Sequence, residues 1–281
     1  CGAALFNLRL AIGHAGRAPI ARLLPERRNP LLLGSVRLAG PYRLRPAERD
    51  LYAAIQRRPT REALIHQAVP RRVLAALIEA ATLEGASLRI LDQPSALRIL
   101  QLADAADHQL RSDHHYRAEV AAWTGGSHGD GPAAWAGGKL TPRLAANLSP
   151  GTGPALVPHS PAPEPGPEAH PHLALLCSHC DDRASWLRVG QTMQRVLLLA
   201  SHHGIPASPL TPVVELPDAP LRFDPAFAGE HPVMLLRLGN GPPNPPAPRR
   251  PVWQTLRMIP PCRIGDDESP AEVPHPALVA H

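Results

Sequence analysis

The sequence predicts a layered α+β protein built from two related halves. Segments whose apolar residues recur at helical spacing alternate with short apolar runs of the kind that form strands. A helix followed by a proline and then a strand occurs twice along the chain. Proline and glycine are abundant, with 36 Pro and 21 Gly in 281 residues. They are concentrated between these segments, which leaves the segments free to form regular structure.

The first predicted helix covers residues 1–16. Leu5, Leu8, Ile12 and Ala15 are spaced so that they share one helix face, and Gly16 suits the position that follows a helix C-terminus. We expect this apolar face to be buried. A short extended stretch follows at residues 31–40.

Four more helices and one strand are predicted before residue 124. The helices cover residues 47–58, 69–81, 94–112 and 116–123, and the strand covers residues 88–91. Pro59 stops the first of these helices. The helix at 69–81 has an apolar face formed by Val73, Leu74, Leu77, Ile78 and Ala81.

Residues 124–172 have a different character, because they are mostly Gly, Pro, Ala, Ser and His. Such a segment has little to bury, so we expect a long loop, a lid or a disordered insert. Regular structure resumes with a strand at 172–177 and the strongest helix of the chain at 186–204. Strands are predicted at 213–216 and 233–238, and the proline-rich residues 241–251 are expected to be extended.

The two halves are suggested by an internal repeat. Placing Gly2 on Gly190 aligns three further identical pairs without a gap: Leu10 with Leu198, His14 with His202, and Gly16 with Gly204. Each helix is followed by a proline and then a strand that ends in Arg-Leu near a glycine. We therefore expect helices 1–16 and 186–204 to be central, buried and packed near each other.

Composition excludes several classes of protein. No apolar run approaches the roughly 18–20 residues of a membrane span, and four cysteines are too few for a disulfide scaffold. The low cysteine count favours a reducing, cytoplasmic compartment. The net charge is +5, but the arginines are spread along the chain and Lys139 is the only lysine, so we expect no nucleic-acid binding. The chain begins with Cys1 inside an apolar-periodic segment, and we interpret this as an N-terminal truncation.

Candidate metal and redox residues do not form recognisable sites. Cys177 and Cys180 are an isolated C-x-x-C pair, which we interpret as a buried strand-end cysteine followed by a cysteine in a turn. A redox dithiol is the alternative. The fifteen histidines show no ligand spacing on one element, so no metal site is expected. Asp181 and Asp182 have the position of a helix N-terminus.

Five segments, taken in order, resemble one family. They are CGAALFNLRLAI; RRPTREAL with AVPRRVLAALIEAA; AEVAAWTG with DGPAA; DDRASWLRVGQTMQRVLL; and LRLGNGPPNPPAPRRPV. Together they resemble the Acg-type, FMN-binding oxidoreductases of the nitroreductase superfamily. The resemblance covers most of the chain except its proline-rich middle.

This resemblance implies an α+β flavoprotein fold and an activity. Members are normally homodimers with FMN at the interface, whereas Acg-type chains are similar to two such subunits fused. Residues 1–45 would then be the remainder of the first half and residues 46–281 the second half. The implied reaction moves hydride from NAD(P)H to FMN and then to a small-molecule acceptor. A monomer with a pseudo-dimeric fold is expected, without a membrane or nucleic-acid partner.

Four arginines are the candidate cofactor-binding residues. Arg57 and Arg61 match the first and fifth positions of the family's basic motif, and Arg249 and Arg250 match its basic C-terminal pair. A guanidinium group suits the FMN phosphate because it binds two oxygens at once. The alternative is that Arg57 and Arg58 cap a helix C-terminus while Arg249 and Arg250 are solvated. No catalytic residue is assigned.

The basic motif departs from the family pattern at two positions. Pro59 stands where the family has Ser or Thr, which removes a hydroxyl group and a backbone N–H donor, and Thr60 stands where Asn is common. Three functions are therefore open. The chain could be a flavin oxidoreductase, a flavin-binding or flavin-sequestering protein with little turnover, or a fold without cofactor that acts through protein contacts.

Overall fold

The structure is a computed structural model, which describes residues 1–57, 69–124, 172–210, 227 and 229–239. The chain divides into one compact unit, Cys1–Pro248, and a second unit, Arg249–His281. All described residues belong to the first unit. The predictions for residues 124–172, 213–216 and 241–251 lie largely or wholly outside the described residues.

Helices and antiparallel strands alternate through the first unit, which confirms the α+β class. The helices are α1 (Gly2–His14), α2 (Pro46–Arg57), α3 (Arg71–Leu83), α4 (Gln93–Ser112), α5 (His114–Thr124) and α6 (Arg183–His202). The strands are β1 (Arg17–Leu23), β2 (Gly34–Pro41), β3 (Ser87–Ile90), β4 (His172–Ser178), β5 (Ala207–Leu210) and β6 (His231–Leu238).

The strands form two sheets. β1 and β2 make a two-stranded hairpin, and the other four strands make a sheet of order β3-β4-β6-β5 in which every pair is antiparallel. The interior strand β4 is buried along nearly its whole length. This burial agrees with its sequence HLALLC, a continuous apolar run rather than an alternating one.

The larger sheet is covered by helices on both faces. One face packs against α3 and α6 through Leu77, Leu176, Val196 and Leu236, all fully buried. The opposite face packs against α4 through a second cluster that includes Ile99 and Leu235. A third cluster joins α1, α2 and α6 through Phe6, Leu10, Leu51, Ala54 and Leu198.

Helices α1 and α6 pack against each other, as the repeat in the sequence predicts. They also end in the same way. The N–H of Ala15 donates to Ala11 O and that of Gly16 to Gly13 O, while His203 donates to Leu199 O and Gly204 to Ser201 O. Each bond in α6 lies 188 residues after its counterpart in α1. Gly16 and Gly204 both have positive φ, at 80° and 69°, as expected of glycines that follow a helix C-terminus.

The strands after the two helices pair in the same register. In the first hairpin, Pro19 through Arg22 oppose Leu38 back to Ser35; in the second, Ala207 through Leu210 oppose Leu238 back to Leu235. The first strands of the two hairpins are 188 residues apart in the sequence and the second strands are 200 residues apart. The two hairpins therefore differ in length only in the connection between their strands. A helix, strand, strand unit therefore occurs twice with matching hydrogen bonds at the helix ends and matching strand pairs.

Two predictions about this unit are wrong. Strands β1 and β5 are missing from the sequence-based prediction, because each contains a proline and neither has a strand-like apolar run. The expected buried face of α1 is also incorrect, since Leu8 is 48% exposed and Ala15 is exposed. The buried residues of α1 are Gly2, Phe6, Leu10 and Gly13. Apolar residues surround this helix, so their spacing does not identify the buried face.

Candidate functional site

Helix α2 places the first candidate phosphate ligand at its end. Its apolar face, with Leu51 and Ala54, packs on α1 and α6, and Arg57 is its last residue. The exposed Arg57 side chain donates from Nε to Ala53 O at 3.3 Å. This bond caps the helix, as the alternative interpretation of the sequence suggests, and it leaves the two terminal guanidinium nitrogens available to an anion.

The other three candidates, Arg61, Arg249 and Arg250, lie outside the described residues. The convergence of the four predicted arginines therefore stays a prediction. Arg57 is the candidate that lies within the described ranges, and its surroundings show whether it fits a phosphate group. Arg57 does, because its side chain is exposed and forms no ion pair with a described acidic residue. A guanidinium in that state can bind phosphate oxygens through two parallel hydrogen bonds.

Close backbone contact between α1 and α6 forms the centre of the described structure. A Cβ atom added at Gly2 would lie 2.3 Å from Leu187 O, and one added at Gly190 would lie 2.9 Å from Gly2 Cα. Larger residues at these positions would push the helices apart. Glycine at both positions is therefore what allows the two helices to pack at this distance.

Two of the contacts across this interface involve corresponding positions. Asn7 Oδ1 accepts a hydrogen bond from Gln194 Nε2 at 2.9 Å, and the Arg195 guanidinium carbon lies 5.3 Å from the centre of the Phe6 ring. Under the 188-residue offset, Asn7 corresponds to Arg195 and Phe6 to Gln194. The two contacts thus join the same pair of positions with the halves exchanged, although one is a hydrogen bond and the other a cation–π contact.

A buried carboxylate ties α3 to both helices. Glu84 follows α3 directly, and its side chain is 6% exposed. It accepts from Arg9 Nη1 at 2.7 Å and from Arg195 Nε at 2.9 Å. Arg9 Nη1 also donates to Gln191 Oε1 at 2.8 Å. This cluster is not predictable from the sequence, because its members lie on three separate elements and share no motif.

A cavity of about 280 Å³ lies beside the contact between α1 and α6. Its lining is mainly apolar and includes Gly2, Leu33, Trp186, Gly190 and Met193. This volume is close to the lower end of the roughly 300–1,000 Å³ that is typical of ligand pockets. Trp186 is 51% exposed, and its indole N–H donates to Asp181 Oδ1 at 2.8 Å.

The start of α6 agrees with the prediction of a helix N-terminus at Asp181 and Asp182. Asp182 is the N-cap residue, and its Oδ1 accepts from the Ser185 backbone N–H at 2.7 Å. Hydrogen bonds from Ser185 lower the pKa of the Asp182 carboxyl. This carboxylate has a capping partner within its own helix, which assigns it a structural role.

Cys177 is a buried core residue. It is fully buried in the cluster beneath α4, and burial, together with the Glu230 carboxylate, raises the pKa of its thiol to about 12. A thiol in this state is a poor nucleophile at neutral pH. Cys180 is exposed, and its carbonyl accepts a hydrogen bond from Ser178 Oγ in the turn. This arrangement matches the predicted strand-end and turn positions, and both thiols are free.

The described part of the chain contains neither a candidate metal-binding group nor a candidate membrane-spanning helix. Residues there include no group of three or more His, Cys, Asp or Glu side chains placed to hold a metal ion. None of the helices in the same ranges combines the length and the apolarity needed to cross a bilayer.

Comparison with curated proteins identifies two similar sequences in Mycobacterium tuberculosis. They are "Putative NAD(P)H nitroreductase Rv3131" of strain H37Rv and its counterpart MT3217 of strain CDC 1551. Each is 31% identical to this chain over 271 residues, which cover 91% of this chain and 75% of the relative. No family model matches the sequence.

Solved structures of nitroreductases also align with this chain at low sequence identity. The FMN-dependent nitroreductase NfnB from Mycobacterium smegmatis, in complex with NADPH, is 15% identical and aligns with a TM-score of 0.48. A nitroreductase with bound FMN from Desulfitobacterium hafniense is 12% identical, with a TM-score of 0.45. Each alignment covers 75% of this chain and 98% of the other chain.

Proposed function

Because this chain belongs to the NAD(P)H nitroreductase family, we propose that it is an FMN-dependent oxidoreductase that takes hydride from NADPH or NADH. The observation that carries the proposal is the 31% identity to the Mycobacterium tuberculosis nitroreductase over 91% of this chain. The final acceptor is a small oxidised molecule. FMN, when bound, supplies the hydride chemistry, and the protein holds and orients it.

The phosphate of FMN is bound, in this proposal, by Arg57, Arg61, Arg249 and Arg250. Support comes from the exposed position of Arg57 at the end of α2 and from the absence of a described acidic partner for it. Four guanidinium groups repel one another unless an anion or carboxylates neutralise them. A phosphate with close to two negative charges is such an anion, and Arg binds it with a planar pair of donors.

We also propose that the chain has the Acg-type organisation of two fused halves, residues 1–45 and 46–281. Three features support this organisation. The helix ends share the same hydrogen bonds, the two hairpins share one register, and one pair of contacts between α1 and α6 joins exchanged positions. A chain whose halves already form the two-fold interface needs no second copy, so we expect a monomer. The reducing cytoplasm is the proposed compartment, on the basis of the low cysteine count.

The test is reduction of the flavin by the nicotinamide donor. We expect the purified protein, loaded with FMN under anaerobic conditions, to lose its visible flavin absorbance when NADPH is added. A nitroaromatic acceptor should then restore the absorbance. A protein that binds FMN and stays yellow with NADPH and NADH is a flavin-binding protein without turnover. Failure to bind FMN at all contradicts the proposal.

A further inference from the structure

The β1–β2 hairpin carries the net charge of the whole protein. Residues 17–43 contain six arginines and one acidic residue, Glu26, a net charge of +5. The formal net charge of the full chain is also +5, so the remaining residues contain equal numbers of basic and acidic side chains. The arginines are spread along the sequence, but the excess positive charge is local.

All six arginines of the hairpin region are exposed. They are Arg17, Arg22, Arg27, Arg28, Arg37 and Arg43. None of them forms an ion pair with an acidic residue in the described ranges. Their charge is therefore available to a partner.

Two of these arginines share the hairpin face that points away from α1. Ile20 pairs with Arg37 and Arg22 pairs with Ser35, and because side chains alternate along a strand, these four residues lie on one face. All four are exposed. We call this set, Ile20, Arg22, Ser35 and Arg37, the outer face.

The equivalent face of the second hairpin is apolar at two positions and keeps an arginine at a third, since Arg37 corresponds to Arg237. Ser35 corresponds to Leu235, which is fully buried against α4 together with Ala96 and Ile99. Arg22 corresponds to Leu210. Where the second hairpin places Leu235 against α4, the first presents Ser35 to solvent. An apolar helix could cover the outer face only by burying two unpaired guanidinium groups, which is costly.

We propose that the outer face is a docking surface for an acidic protein. An exposed apolar side chain accompanies the arginines on this face, since Ile20 is 39% exposed. Arginine mixed with apolar residues is typical of protein–protein interfaces, which favour Arg over Lys. Nucleic acid is the less suitable partner, because no aromatic side chain lies on the outer face to stack with bases.

The experiment measures binding of labelled poly-L-glutamate to the full chain at low salt. The variant Arg22→Ser/Arg37→Ser removes two charges from the outer face. Arg49→Ser/Arg117→Ser is the matched control, because these two arginines are exposed on α2 and α5 and the net charge changes equally. We expect the first variant to bind about tenfold more weakly than the unmodified protein, and the control to bind within about twofold.

Three results would overturn the proposal. Equal losses in the two variants would mean that net charge alone drives binding. Unchanged binding of Arg22→Ser/Arg37→Ser would exclude the outer face. Tighter binding to a random DNA duplex, or to phosphatidylserine-containing vesicles, than to polyglutamate would assign the surface to a different class of partner. Thermal unfolding of both variants provides the check that each remains folded.

Discussion

Gly2 of α1 and Gly190 of α6 lie in backbone contact, and they are also the two positions that the internal repeat of the sequence aligns. A Cβ atom at Gly190 would be 2.9 Å from Gly2 Cα and 3.3 Å from Gly2 N. A residue that meets its own counterpart lies on the axis of a two-fold arrangement. A substitution at this contact therefore tests the proposed relation between the two halves.

We predict that Gly190→Ala destabilises the protein by about 2 kcal/mol. Alanine gains roughly 1 kcal/mol in helix propensity, but overpacking against backbone atoms that cannot move aside costs more. Gly13→Ala on α1 is the control, because its nearest neighbour is the flexible end of Leu44, at 2.5 Å. Denaturant unfolding should place Gly13→Ala within about 1 kcal/mol of the unmodified protein. Equal stability of Gly190→Ala and the unmodified protein would contradict this packing.

The Glu84 carboxylate should contribute strongly to stability. Glu84→Gln leaves Arg9 and Arg195 without their shared negative charge, and we expect a loss of about 2 kcal/mol. This is below the roughly 3–5 kcal/mol of a fully buried pair because Arg9 is 31% exposed. Glu79→Gln, at an exposed position of the same helix, should change the free energy of unfolding by less than about 0.5 kcal/mol. Similar losses of unfolding free energy in both variants would mean that Glu84 contributes no more to stability than an exposed carboxylate.

The Asp182 cap should make α6 stability depend on pH. Hydrogen bonds lower its pKa in the folded protein, so the stabilisation is present above its unfolded pKa of about 4 and is lost as the pH falls through the folded value. Asp182→Ala should therefore lower the melting temperature at pH 7, and the difference should shrink at pH values below the folded pKa. Asp182→Asn, which still caps, should lie between the two at neutral pH.

The cysteines should differ in reactivity with alkylating reagents. Cys177 is fully buried with a pKa of about 12, whereas Cys1 and Cys180 are exposed. Peptide mapping after iodoacetamide treatment of the native protein at pH 8 should find Cys1 and Cys180 alkylated and Cys177 unmodified. Denaturant should expose Cys177 to the same reagent. Rapid alkylation of Cys177 in the native protein would mean that its strand opens to solvent. It would then favour the alternative that Cys177 and Cys180 form a redox dithiol.

Much of the fold could be predicted from local sequence, and the exceptions have physical causes. The helix at 186–204 and the strand at 172–177 have strong apolar patterns, and the structure confirms them at Arg183–His202 and His172–Ser178. Strands β1 and β5 each form through pairing with the strand that follows in the chain, an effect that the residues of one strand alone do not contain. The buried face of α1 is set by the contact at Gly2, a residue without a side chain to signal burial.

The candidate site is less predictable than the fold. Arg57 could be named because it occurs in a recognisable basic motif. The Glu84 cluster could not, because Arg9, Glu84 and Arg195 are far apart in sequence and converge only when α1, α3 and α6 pack. The repeat did contain a usable signal, since aligning Gly2 with Gly190 identified the two residues that touch.

The proposed phosphate site predicts an effect on FMN binding for each of its arginines. Arg61→Ala and Arg250→Ala should each weaken FMN binding about tenfold or more, because a hydrogen bond to a charged group contributes roughly 1.5–3 kcal/mol. Pro59→Ser restores the hydroxyl group and backbone donor that the family usually has, so it should tighten binding. Unchanged affinity for FMN in both alanine variants would mean that Arg61 and Arg250 do not bind the phosphate.

The measurement that tests the central claim most directly is a titration of the full chain with FMN and, separately, with riboflavin, which lacks the phosphate. We expect FMN to bind at least about tenfold more tightly. The Arg57→Ala variant should lose most of that difference, whereas Arg49→Ala, exposed on the same helix, should keep it. Equal affinities for FMN and riboflavin, or an unchanged preference in Arg57→Ala, would contradict the assignment of a flavin phosphate to these arginines.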